Sequence, residues 1–219
     1  MSVRVIRRKT WKTYLYLFLK RLFDILISLL GLILLLPLSL IIKISYLLTG
    51  DFHSIFLPNH IRVGKDGKTF RLYKFRSMVP NADKEPLENL LKDPKYKAEW
   101  DKNQKFENNP RVTKIGKLIR HGSIDEFPQF LNVLKGDLSL IGPRPLIPGE
   151  IEKHHGDKKK YWSVKPGITG WWAVNGRSAT TYKKRFELEY YYIDHQSLSL
   201  DLKIFLKTFT AIITKKGAK

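Results

Sequence analysis

Residues 22–42 read LFDILISLLGLILLLPLSLII, a run in which Asp24 is the one charged residue and Pro37 the one proline. Its length and apolarity match the requirements of a transmembrane helix. A secretory signal fits poorly, because the run is too long and no small-residue cleavage site follows it. Arg4, Arg7, Arg8, Lys9, Lys12, Lys20 and Arg21 precede it with no acidic residue among them, and Lys43, Arg62, Lys65, Lys68, Arg71, Lys74 and Arg76 follow. Basic flanks belong at the cytoplasmic leaflet, so charge asks both ends of the segment to stay on one side. Pro37 offers a way to do that. It has no N–H for the carbonyl of Ile33, and its ring crowds that carbonyl, which predicts a sharp bend. At 1.5 Å per residue the arms 22–36 and 38–48 span about 22 and about 16 Å. Each falls short of a hydrocarbon core of roughly 30 Å. Two architectures satisfy these constraints: a re-entrant helix-break-helix that dips into one leaflet and returns, or a kinked helix that spans.

The remaining composition narrows the chemistry. A chain of 219 residues holds one domain or one and a fraction. Forty Lys and Arg against twenty Asp and Glu leave a formal charge of +20, which draws nucleic acid, anionic headgroups or phosphorylated small molecules. With no cysteine, a disulfide scaffold, a thiol nucleophile and a Cys-bearing zinc site are excluded.

Beyond the apolar run, HIRVGKDGKTFRLYKFRSM (60–78) reads as a cation-studded hairpin about a Gly-Lys-Asp-Gly turn. Residues 81–109 mix acids, lysines and two prolines and predict one or two surface helices in a long excursion. A short helix is expected over 112–120. Gly142-Pro143-Arg144-Pro145 and the stretch 165–170, KPGITG, are rigid turns that hold cations in fixed backbone geometry. Helices follow at 182–193 and from Leu198, where Leu198, Leu202, Phe205, Leu206, Phe209, Ile212 and Ile213 fall at helical spacing. The last could lie in a membrane interface or cover a soluble core. Trp171, Trp172 and Tyr190 to Tyr192 suit an interface or a core, and His154 and His155 read as solvated. The fold class is α+β and mostly helical: residues 1–50 form a basic N-terminus and membrane segment, and 51–219 form the domain that follows it.

Residues 120–129, RHGSIDEFPQ, place two carboxylates side by side in a basic chain. Ser123 to Glu126 fits a capping box, which would make Glu126 a helix-start residue. Pro128 opposes that, since at the fifth helical position its ring would meet the carbonyl of Ile124, and it biases Phe127 toward extended backbone. A helix beginning at Pro128, with Phe127, Phe130, Leu131 and Leu134 on its buried face and Gly136 at its end, leaves Asp125 and Glu126 just outside a helix N-terminus. Near Arg120 such a pair suits phosphoryl transfer: one carboxylate attacks phosphorus while the other helps hold magnesium on the phosphates.

Five ordered segments carry a resemblance: RLFDILISLLGLILLLP (21–37), RVGKDGKTFRLYKFRSM (62–78), NPRVTKIGKLIRHGSIDEFPQFLNVLKGDLSLIGPRP (109–145), KPGITGWWAVNGR (165–177) and YYIDHQSLSLDLKIFLKT (191–208). The chain resembles the bacterial sugar transferases, the monotopic phosphoglycosyl transferases that move a phosphosugar from a nucleotide diphosphosugar to a polyprenol phosphate. The resemblance implies Asp125 as nucleophile and Glu126 as Mg²⁺ ligand. It also implies Lys74, Arg76, Arg120, Pro143, Arg144, Arg177 and Asp201 as substrate-binding residues. By the same resemblance the membrane segment is re-entrant and broken at Pro37, with interfacial amphipathic helices and a catalytic domain on the cytoplasmic face of the bacterial inner membrane. Implied partners are a UDP-sugar, undecaprenyl phosphate, membrane lipid and a second copy in a homodimer, with no nucleic acid. Leu36 stands where a serine often precedes the proline, and His195 where asparagine is usual. Two rivals remain on the residues alone: a membrane-anchored basic nucleic-acid binder, which lacks a recognised reading motif, and a non-catalytic scaffold, against which Asp125, Glu126, Arg144 and Arg177 speak.

Overall fold

The computed structural model describes residues 10–57, 60–103, 106, 108–176 and 180–214. Helix α1 (Trp11–Leu48) takes up the apolar run and extends it at both ends to 38 residues, about 57 Å at the rise of an α-helix. The break expected at Pro37 is corrected: the helix is unbroken through that residue. Packing holds the helix on both sides of the proline. Leu35 before the proline and Ile42 and Tyr46 after it sit in one hydrophobic cluster with Ile55, Phe75 and Ile119, so both sides are held on the same support.

One stripe of α1 faces the protein. Its buried residues are Asp24, Ser28, Gly31, Leu35, Ile42 and Tyr46, at intervals of one or two helical turns. The opposite face presents apolar side chains outward, among them Leu26, Leu30, Ile33, Leu36, Leu40 and Ile41. Polar contacts run along the buried stripe. Asp24 Oδ1 accepts the Ser139 hydroxyl at 3.1 Å and the Leu140 amide at 2.9 Å. Arg21 donates to the carbonyls of Val133 and Leu134 at 2.6 and 2.8 Å. At Gly31 an added Cβ would collide with the ring of Phe130, so glycine lets the two helices meet closely.

The hairpin forms as expected, with β1 (Ile61–Val63) antiparallel to β2 (Thr69–Arg71) and Arg62 opposite Phe70. The acidic excursion carries α2 (Glu85–Leu90) and α3 (Pro94–Asn103), held by Arg111, whose guanidinium donates to the Ala82 carbonyl at 2.7 Å and lies 5.3 Å from the Phe106 ring. Helix α4 (Lys114–His121) is capped by Thr113, which accepts the Gly116 amide at 2.9 Å. Helix α5 (Gln129–Lys135) ends at Gly136 in the left-handed region, φ +88°. Its most deeply buried residues are Gln129, Asn132 and Val133, while Phe127, Phe130 and Leu131 are partly buried against neighbouring clusters. Asn132 explains the difference: it accepts the Tyr73 amide at 2.9 Å and donates to the Arg71 carbonyl at 2.7 Å, tying α5 to the hairpin's exit.

Strand β3 (Ser139–Ile141) runs parallel to β4 (Gly167–Thr169), with α6 (Glu150–Lys153) and α7 (Lys158–Tyr161) between them. Helices α8 (Trp171–Asn175), α9 (Tyr182–Asp194) and α10 (Leu198–Thr214) complete the chain. Leu138, Leu140, Ile141, Tyr192 and Ile204 form a core that Phe23 and Ile27 of α1 also join. On α10, Asp201 and Ile204 face inward while Leu198, Leu202, Leu206 and Phe209 are exposed. His154, read as solvated, stacks on Tyr182 with ring centroids 3.3 Å apart.

Asp24 generates a prediction. Asp24→Ala leaves the Ser139 hydroxyl and the Leu140 amide buried without an acceptor, and a loss of about 2 to 4 kcal/mol in detergent-solubilised unfolding is expected. Asp24→Asn, which keeps an acceptor oxygen, loses less. Equal stability of the alanine variant and the parent would remove this contact from the account.

Candidate active site

Asp125 and Glu126 occupy a single 3₁₀ turn, Ile124–Glu126, between α4 and α5. Ser123 enters it in the left-handed region at φ +53°, and its side chain makes no capping bond, so the capping-box alternative does not form. Phe127, expected to be extended, is helical at φ −54°, ψ −38°. Packing overrides the bias of the following proline: Phe127 and Ile124 seat against the α1–α4 cluster, and Phe127 meets Phe130 edge to face at 5.6 Å.

The turn is set against the segment after β2. The Phe75 amide donates to the carbonyl of Asp125 at 2.9 Å, which lays Lys74 beside the dyad. Lys74 Nζ is 2.9 Å from Asp125 Oδ2 and 3.5 Å from Glu126 Oε1. Asp125 is buried, whereas the Glu126 carboxylate is about a third exposed, at 36%. Burial pushes the Asp125 carboxyl above its ordinary range; Lys74 pulls it back, the Glu126 charge raises it and Arg120 lowers it. Arg120 is fixed by donation from Nε to the Ser77 hydroxyl at 2.8 Å and lies within electrostatic reach of Asp125.

The two proline-glycine turns pair with each other. The Gly142 amide donates to Thr169 and the Gly167 amide to the carbonyl of Pro143, at 2.9 and 2.8 Å. A Cβ at Gly142 would run into the carbonyl of Lys165, which is why this crossing takes glycine. Pro143 is buried in this joint. The next residue, Arg144, is pinned at both backbone groups: its N–H donates to Glu189 Oε1 at 3.0 Å and its carbonyl accepts the Tyr161 hydroxyl at 2.8 Å. Its guanidinium remains exposed, with Cζ 5.7 Å from the Trp172 ring centroid.

Other expected site residues are placed differently. Arg76 is 4% exposed and committed to protein partners: Nε to Ser54, Nη1 to Met78 and Nη2 to Asp51 at 2.9 Å, with Tyr46 beneath it. Three of its five N–H groups are spent on these partners, and it clamps the end of α1 to the domain. Asp201 accepts from Lys20 at 2.8 Å, Tyr16 at 3.0 Å and Tyr192 at 2.8 Å and acts as a latch joining α1, α9 and α10. Arg177 lies outside the described residues. Sequence reasoning passed over His60, Arg62 and Glu189. His60 lies within electrostatic reach of Lys74 and Arg144, linking the dyad to the Arg144 turn. The available signal for Glu189 was an acid directly ahead of the aromatic run 190–192.

No group of three metal-ligating side chains occurs among the described residues. Magnesium does not need one, since it takes one or two carboxylates and completes its shell with phosphate oxygens and water. The adjacent, partly exposed Glu126 carboxylate fits that demand.

A family profile described as bacterial sugar transferase matches residues 15–215. The chain is 44% identical over 202 residues to a UDP-galactose-lipid carrier transferase of Erwinia amylovora, covering 92% of this chain and 42% of that protein. It is 43% identical over 201 residues to an undecaprenyl-phosphate galactose phosphotransferase of Salmonella typhimurium, covering 92% and 42%. The exopolysaccharide production protein ExoY of Sinorhizobium fredii is 38% identical over 199 residues, covering 91% of this chain and 87% of that protein. The chain thus spans less than half the length of the first two relatives.

The dyad's electrostatics can be tested directly. A carboxyl raised by burial binds its proton more tightly when folded, so Asp125 favours the fold at acid pH and withdraws that support as pH rises through its raised pKa. Lys74→Met removes the largest opposing influence. In carboxyl-carbon NMR with labelled aspartate, the Asp125 titration is expected to move to higher pH in this variant; an unchanged or lower midpoint contradicts the ion pair.

Proposed function

The chain belongs to the bacterial sugar transferase family, and from that premise we propose that it transfers a phosphosugar from a UDP-sugar to a polyprenol phosphate, undecaprenyl phosphate in the bacterial membrane. The observation that carries this reading is the buried Asp125 carboxylate, 2.9 Å from Lys74 and flanked by Glu126. An Asp125 oxygen attacks the sugar-bearing phosphorus, the bond from that phosphorus to the bridging oxygen breaks, and UMP leaves with the electron pair. The polyprenol phosphate oxygen then attacks the same phosphorus and expels the Asp125 carboxylate, giving polyprenyl-diphosphate-sugar. Splitting the transfer in two lets one soluble and one bilayer-bound substrate visit the same residue in turn. Burial of Asp125 supports this, because a mixed anhydride needs shelter from water. The Lys74 ammonium and the Arg120 and Arg144 guanidinium groups offset phosphate charge, with the pinned backbone of Arg144 presenting its side chain in a fixed direction. When bound, magnesium neutralises phosphate charge, and Glu126 is the residue to hold it.

The packing of α1 supports a same-side membrane placement. Its contacts with the domain run from Tyr16 to Tyr46, a length of about 45 Å along the helix. A helix crossing upright would draw Lys20, Arg21 and their partners into the hydrocarbon. Lying with its outer leucines immersed, the helix keeps both ends at the cytoplasmic face, and the exposed apolar stripe of α10 reaches the same interface.

With donor alone, the wild-type chain is expected to accumulate a phosphosugar adduct on Asp125, visible by mass spectrometry. Asp125→Asn abolishes transfer while retaining or raising thermal stability at neutral pH, and Glu126→Gln lowers rate and magnesium affinity together. Normal turnover by the asparagine variant removes the nucleophile assignment, and an unchanged magnesium requirement removes that of Glu126. Single cysteines at Ser2 and Lys65 should both be shielded from an impermeant thiol reagent in intact cells; labelling of one alone indicates a spanning helix.

A further inference from the structure

A second group of cations adjoins the dyad without touching it. His60 Nε2 lies 2.7 Å from Arg62 Nη2, and His60 is within electrostatic reach of Arg62, Lys74 and Arg144. Arg62 in turn feels Arg144 and Arg185. Arg185 is 7% exposed and pairs through Nη1 with Glu150 at 2.9 Å, but its Nε and Nη2 are buried without hydrogen-bond partners among the described residues. Its Cζ stands 4.7 Å from the Trp172 ring centroid, the ring that Arg144 also approaches.

The charges do not balance. Three guanidinium groups share this neighbourhood, and Glu150 is the one carboxylate that pairs with any of them among the described residues. Glu189 accepts the Arg144 amide instead, and burial pushes its carboxyl up to about 7, so it is a weak counter-charge. The repulsion registers on Arg62 and His60, whereas at Arg185 burial is outweighed by the acidic groups around it, Tyr161, Glu150 and Glu189 first, and its charge is held. Burial and then Arg144 push Arg62 down to about 10, and burial, Arg62, Lys74 and Arg144 push His60 down to about 3, leaving a neutral imidazole. Like charges kept together and partly dry are stabilised by an anion that joins them.

We propose that Arg62, Arg144 and Arg185, with His60, form a phosphate subsite separate from the Lys74–Asp125 pair, and that it takes the phosphate of the departing nucleoside monophosphate. The proposal rests on the donor reading above and deepens it. In an in-line displacement the nucleophile and the leaving oxygen lie on opposite sides of phosphorus. Lys74 and Arg120 serve the side of Asp125; negative charge developing on the leaving phosphate calls for cations displaced from that carboxylate. Arg62 pairs with neither carboxylate of the dyad among the described residues, whereas Lys74 pairs with both. Neutral His60 can donate one ring N–H to a phosphate oxygen without adding to the repulsion.

The test uses the full chain in lipid nanodiscs, with UMP as the direct probe by titration calorimetry and with separate KM values for UDP-sugar and undecaprenyl phosphate. Arg62→Ala is expected to weaken UMP binding by about tenfold or more, as loss of a charge-assisted phosphate contact does. It should raise donor KM in parallel and leave acceptor KM unchanged. Arg62→Gln, which retains polar volume next to His60, should show the same selective loss if the alanine variant folds poorly, and Arg62→Lys should recover part of it. UMP binding at wild-type strength in a folded Arg62→Gln variant overturns the subsite, as does a rise confined to acceptor KM. Failure of the unaltered chain both to bind UMP and to turn over any UDP-sugar overturns the donor reading itself, so the two failures are distinguishable.

Discussion

A helix as apolar as α1 can lie along a strongly basic domain only where the domain offers it polar partners in register, and the seam from Tyr16 to Tyr46 supplies them. Lys20 meets Asp201, Arg21 takes the last carbonyls of α5, Asp24 takes the start of β3, and the Tyr46 hydroxyl donates to the carbonyl of Arg76 at 2.7 Å. Each of these groups would be costly in an apolar setting if left alone; removing one partner of a buried ion pair typically costs about 3 to 5 kcal/mol. The seam therefore works as a register mark. Sliding α1 by one turn would leave Asp24 without its amide and place a side chain at the Gly31–Phe130 crossing. Because α5 and β3 are held by that seam, the turn ahead of α5 and the Gly142–Pro145 loop after β3 are positioned by it as well.

On this support, the site opposes desolvation to charge. Asp125 is buried enough to raise its pKa and sits close enough to Lys74 to be pulled back. A carboxylate so placed carries little water, which suits the nucleophilic role proposed for it. The folded state is less stable for holding it at neutral pH, a common arrangement where reactivity and stability compete. The Arg144 loop solves the opposite problem. Its side chain is exposed and long, yet both backbone groups are held by buried side chains from α7 and α9, so a flexible residue gains a fixed origin. The cations around Arg62 add positive charge beside that of Lys74 and Arg120. Cations at two places match the two phosphorus atoms of the diphosphate donor proposed for the site.

Much of this was legible from one-dimensional patterns. The length of the apolar run, the hairpin about Gly-Lys-Asp-Gly, the excursion helices, Gly136 as a helix stop and the pairing of two carboxylates in a basic chain all follow from local sterics and periodicity. Some expectations failed where distant residues decided. Phe127 is helical because aromatic packing outweighs the bias of the next proline. Pro37 sits inside a continuous helix because Leu35, Ile42 and Tyr46 are anchored to the same cluster. Arg76 and Asp201 are each bonded three times to their own fold, and nothing local in the chain announces those partners.

The sequence by itself determined most of the elements and the pair of adjacent carboxylates, because helical spacing, glycine conformation and the adjacency of Asp125 and Glu126 are properties of neighbours in the chain. Tertiary structure alone decided which charges are free. Lys74 reaches Asp125 across fifty-one positions, Glu189 holds Arg144 across forty-five, and Lys20 neutralises Asp201 across one hundred and eighty-one. Burial and Coulomb interaction depend on distance in space, and those distances exist only once α1, α5 and α9 have packed.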